Sequence, residues 1–160
     1  MGEAEVLVLS DGRELAWAEL GRPDGVPVIA LHGSPGTRCF LAPHGETARG
    51  LGVRLIAPDR PGYGLSTYDA GRTFRSGADD VRQLADHLGL DRFAVLGASS
   101  GGPNVAACSR FHGDRMFGCA IVSSPAPPEA DTPKATIPRF NRVVRRGAAI
   151  APHLTGLAFQ

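Results

Sequence analysis

What this chain lacks narrows its class before any motif is read. It has no apolar run long enough to span a bilayer. Its first residues, Met1-Gly2-Glu3-Ala4-Glu5, carry acids where a secretory signal carries Lys or Arg, and no long apolar stretch follows them. Excess charge is missing too: 17 Lys and Arg stand against 16 Asp and Glu, a formal net charge of +1. Such a balance gives no global pull toward nucleic acid or a membrane surface. There are only three Cys (Cys39, Cys108 and Cys119), an odd number without the spacing of metal ligands. Cys108 and Cys119 lie among apolar residues and are expected to be buried thiols, and a reducing, cytoplasmic compartment is the expectation that follows. After Asp131 acidic residues stop, while Lys134, Arg139, Arg142, Arg145 and Arg146 follow; this reads as the solvated face of a helix. No internal repeat is present.

What is there suits a domain with a real core: 160 residues, 42% of them hydrophobic and 21% charged. Residues 5–9 and 14–20 read as strands joined through Ser10-Asp11-Gly12-Arg13, a hairpin signal. Further strands are predicted over 28–31, 53–57, 92–96 and 116–122, and a helix over 38–49. Residues 73–88 read as an amphipathic helix, with Val81, Leu84, Ala85 and Leu88 on one stripe and Asp79, Asp80 and Asp86 off it, toward solvent. Gly89 is its expected stop. From the third strand onward strands alternate with helices, which predicts βαβ units and a mostly parallel, twisted α/β sheet. The composition changes at Ser123-Ser124-Pro125-Ala126-Pro127-Pro128. Residues 1–124 are therefore read as the core and 125–160 as the start of a helical lid, with Phe140, Val143, Val144 and Ile150 packing that lid in preference to the alternative, the lining of an apolar acyl pocket.

The chemistry centres on Gly97-Ala98-Ser99-Ser100-Gly101. An apolar strand precedes this pentapeptide and a helix follows it, which makes a nucleophile elbow with Ser99 at its tip. Acyl transfer also needs donors for the oxyanion. One is expected from the backbone N–H of Ser100. The other is expected from the loop His32-Gly33-Ser34-Pro35-Gly36-Thr37, with the Ser34 N–H as donor. A plain Gly/Pro loop is the competing reading of that segment. His32 is expected to hold the loop by side-chain hydrogen bonds rather than to act as a base. The stretch Asp59-Arg60-Pro61-Gly62-Tyr63-Gly64-Leu65-Ser66 reads as rigid support with no direct chemistry.

Taken in this order, these three motifs resemble the α/β-hydrolase superfamily over residues 5 to 124. The resemblance implies a Ser hydrolase that cleaves a small-molecule ester or amide through an acyl-Ser99 intermediate, with no metal and no organic cofactor. The Ser34-Pro35-Gly36 variant looks closest to esterases. It departs from the Gly-Gly-Pro-Gly form of proline-iminopeptidase-like members, so a peptidase ranks lower. The superfamily's chain order is Ser, then an acid, then His, and neither partner stands here in a recognisable place. Asp131 falls in the lid-like segment, His112 ends the elbow helix, and His153 has no strand before it. The expectation is that these residues are the N-terminal part of a longer hydrolase, with a sheet incomplete on its C-terminal side. Two alternatives stand beside it. One is a catalytically inactive, truncated remnant that self-associates through an open sheet edge. The other is a split enzyme whose acid and base come from another polypeptide. Neither nucleic acid nor a membrane is an expected partner.

Overall fold

Alternating apolar residues, one face and then the other, build the centre of this protein. A computed structural model describes residues 3–126. Six strands among them form one sheet: β1 (Glu5–Val8), β2 (Glu14–Gly21), β3 (Val26–Leu31), β4 (Val53–Pro58), β5 (Phe93–Ala98) and β6 (Met116–Val122). Their order is β1-β2-β4-β3-β5-β6. The β1–β2 and β2–β4 pairings are antiparallel, and β3–β4, β3–β5 and β5–β6 are parallel. The hairpin turns at Gly12, whose φ of 85° needs a residue without a side chain.

Three α-helices are described: α1 (Gly45–Gly50), α2 (Phe74–His87) and α3 (Gly102–His112). Trp17, Ile29, Ile56, Phe93 and Val95 point from the sheet into one cluster with Val81 and Leu84 of α2 and Val105 and Cys108 of α3. Ala30, Leu55 and Ala57, the neighbours in sequence, point the other way and meet Leu41 and Ala48, the latter on α1. The central strands are thus covered on both faces, as parallel strands require. Thr73 caps α2 through a reciprocal box: its hydroxyl accepts the Ser76 N–H at 3.0 Å, and the Ser76 hydroxyl accepts the Thr73 N–H at 2.9 Å.

Three expectations need correction. The helix read over 38–49 is two pieces, a 3₁₀ segment Arg38–His44 and then α1. Pro43 lies inside the first piece, and a residue without an N–H interrupts α-helical bonding there. Asp80 does not face solvent: only 3% of it is exposed, and it accepts two hydrogen bonds from Arg13 at 2.7 and 3.0 Å. The hairpin turn brings that cation onto α2, which makes the burial tolerable. Cys119 is exposed, whereas Cys108 is buried as expected. Cys119 sits on β6, the edge strand, where nothing among the described residues covers it. The expected lid, apart from Pro125 and Ala126, falls outside the described residues, as do Asp131 and His153.

Candidate active site

Strand β5 runs into a tight 3₁₀ turn, Ser99–Gly101, and then into α3. Ser99 takes φ 50°, a left-handed conformation that a non-Gly residue adopts at a cost of roughly 1–3 kcal/mol. The flanking glycines make this turn possible. A Cβ on Gly97 would lie 2.5 Å from Val105 Cγ2 and 2.7 Å from the Gly101 carbonyl oxygen, and one on Gly101 would strike the Leu31 carbonyl oxygen. Ser99 therefore stands at the head of α3, where free N–H groups and the helix dipole favour negative charge.

Parallel pairing of β3 with β5 sets Leu31 opposite Gly97, so the loop that leaves β3 passes beside the elbow. A Cβ placed on Gly33 would be 3.0 Å from Ser99 Cβ and 3.6 Å from its Oγ. Ser34 and Ser100 meet directly: the Ser100 hydroxyl donates to Ser34 Oγ at 2.9 Å. The structure thus brings together Ser99, Ser34 and Ser100, the three residues singled out in the sequence.

His32 lies beneath this loop and is only 1% exposed. The Arg60 N–H donates to its Nε2 at 3.1 Å, so that nitrogen is unprotonated. Nδ1 then carries the proton and donates it to the Gly33 carbonyl at 2.7 Å. Burial pushes the imidazole down to about 4, which keeps it neutral at physiological pH. With both nitrogens taken, His32 holds the loop and has no lone pair left for Ser99. His112 is engaged elsewhere: its Nε2 lies 2.8 Å from Asp79 Oδ1 at the far end of α3.

Sequence reasoning missed two side chains. The Arg60 Nη2 donates to the Gly33 carbonyl at 3.1 Å, Ser34 Oγ at 2.7 Å and Ser100 Oγ at 3.1 Å. The Tyr63 hydroxyl lies 2.7 Å from Ser34 Oγ, and its ring centroid is 4.9 Å from the Arg60 guanidinium carbon. The loop after β4 therefore reaches into the site, through hydrogen bonds that hold the Ser34 turn and the elbow. The only signal was the pairing of a cation with an aromatic residue in a rigid Gly/Pro turn. Its first residue, Asp59, is fully buried and accepts from the Arg38 N–H at 2.6 Å, the Arg38 guanidinium and the Leu65 N–H at 3.0 Å, which fixes the loop from below. Among the described residues, no three His, Cys, Asp or Glu side chains gather as metal ligands would, and no helix is long and apolar enough to cross a membrane.

The family model described as alpha/beta hydrolase fold matches residues 26–160. The chain is 32% identical over 124 residues to a proline iminopeptidase of Arabidopsis thaliana, covering 72% of this chain and 31% of that protein. It is 34% identical over 99 residues to haloalkane dehalogenase 2 of Mycobacterium tuberculosis, covering 61% of this chain and 34% of that protein. Among solved structures, a thermophilic esterase from Thermogutta terrifontis superposes with a TM-score of 0.70 at 31% identity, covering 96% of this chain and 56% of that one. The chain spans about a third of the length of the two sequence relatives named here.

Proposed function

This chain belongs to the alpha/beta hydrolase fold family, and from that premise we propose that it carries the nucleophile and oxyanion-binding part of a Ser hydrolase of esterase type. The observation behind this reading is Ser99 itself, held at φ 50° between two glycines that tolerate no side chain. In this reading Ser99 Oγ attacks the carbonyl carbon of a small-molecule ester or amide. Its proton passes to a base, and the carbonyl electron pair moves onto oxygen. The N–H groups of Ser34 and Ser100 hold that oxyanion, and an acyl-Ser99 intermediate results. Neither His32 nor His112 serves as that base in this reading, because both are engaged elsewhere. No cofactor enters these steps. A cytoplasmic location is part of the reading, supported by three free Cys, and so is a core over residues 1–124 with a lid beginning at 125.

A fluorophosphonate probe tests the proposal on the protein as produced from its own gene. The Oγ–P bond forms as fluoride leaves, so the labelled peptide should contain Ser99, and Ser99→Ala should take no label. Equal labelling of both proteins would count against the reading. A second reading, association through β6, is favoured by the exposure of Phe117, Ile121 and Val122 at 46–51% on the edge strand. It predicts a stable dimer without esterase activity. A monodisperse monomer that cleaves p-nitrophenyl acetate only when Ser99 is present would exclude it.

A further inference from the structure

Arg60 differs from the other inward-turned arginines of this chain. Arg13 pairs with Asp80, Arg38 with Asp59 and Arg54 with Glu19. Among the described residues Arg60 has no carboxylate partner, although its Nε is buried without any hydrogen-bond acceptor. Its Nη2 instead bridges two segments that also meet through the Ser100–Ser34 hydroxyl bond, and it adds a charged donor to both sides of that contact. On one side are the Gly33 carbonyl and the Ser34 hydroxyl, and on the other is the Ser100 hydroxyl at the elbow. The arrangement is fixed from behind by the bond from the Arg60 N–H to His32 and by the Tyr63 ring against the guanidinium. A half-buried cation facing only neutral acceptors is an unfavourable ground state. It becomes favourable when negative charge develops nearby, which in this site happens at the oxyanion.

Building on the Ser-hydrolase reading above, we propose that Arg60 is a positioning residue for the oxyanion site. It fastens the turn that bears the Ser34 amide to the elbow that bears the Ser100 amide, and it supplies the positive field in which the oxyanion forms. Removing it should let the two donors drift apart while leaving Ser99 in place.

The test follows fluorophosphonate labelling of Ser99 in the protein as produced, with the wild type, Arg60→Lys and Arg60→Met compared at equal folded fraction by circular dichroism. Arg60→Met should label about 10- to 100-fold more slowly, in line with loss of oxyanion stabilisation. Arg60→Lys should regain part of the rate, and millimolar guanidinium should restore part of it in Arg60→Met. A purely structural role would produce neither recovery. If Arg60→Met does not fold, the double change Ser34→Ala with Ser100→Ala removes two of the three Nη2 acceptors and should also slow labelling. Equal rates in the wild type and Arg60→Met, or a slowing that neither Lys nor guanidinium relieves, would overturn this inference and leave the Ser-hydrolase reading standing. A wild type that takes no label at Ser99 would overturn that reading and this inference with it.

Discussion

His32 is neutral because it is buried, and its tautomer is set by two backbone partners, one on each ring nitrogen. That state has a measurable consequence. With its folded value pushed down to about 4, the unfolded chain takes up a proton near pH 6.5 that the folded chain refuses. Stability contributed by this residue is therefore complete above about pH 6.5 and is lost as the pH falls toward 4, by about 2 kcal/mol between pH 7 and pH 5. Urea midpoints at those two pH values should draw apart by less in His32→Gln than in the wild type. Equal spacing in the two proteins would mean that His32 titrates as it does in water. The same scale shows where sequence reasoning stopped. Ser99, Ser34 and Ser100 were legible because strained turns leave a mark of small residues around them. Arg60 was not, because nothing in a sequence tells which way a long side chain turns out of a rigid loop.

At the scale of elements, local signals carried most of the information. The stripe of Val81, Leu84 and Ala85 is buried on α2 as its spacing predicts, and Met116–Val122 is a strand over the residues expected. Asp80 was misjudged because its neighbour across the fold, Arg13, arrives from a turn 67 residues away; a helical pattern cannot register a partner that distant. The N-terminus of α2 offers a clean test. Thr73→Ala removes one side of the capping box and should cost about 1 kcal/mol, seen as a lower denaturant midpoint with an unchanged slope. Ser76→Ala should cost less, since the Thr73 hydroxyl keeps its bond to the Ser76 backbone. A loss in Thr73→Ala no larger than a few tenths of a kcal/mol would mean that packing of the buried stripe alone fixes this end.

At the scale of the whole sheet, the described residues leave an edge strand on each side with largely exposed side chains, β1 on one and the apolar β6 on the other. The sequence foretold that edge but placed Cys119 among buried thiols, because an apolar strand reads as buried whether or not anything covers it. Thiol chemistry separates the cases. Burial pushes Cys108 up to about 12, so brief iodoacetamide treatment near pH 8 should modify Cys39 and Cys119 in the folded protein and reach Cys108 only after denaturation. Protection of Cys119 alongside Cys108 would show that β6 has gained a neighbour, which peptide mapping across a dilution series would tie to self-association or exclude.

The strand order also bears on how the protein is made. The strands β1 to β4 are synthesised first and complete one side of the sheet by Pro58. Afterwards β5 is laid against β3, and β6 against β5, so the sheet grows outward in the direction in which the chain emerges from the ribosome. The loop after β3 and the Arg60 turn that holds it are thus both translated before Ser99, and their bonds to Ser100 wait for the elbow to be made.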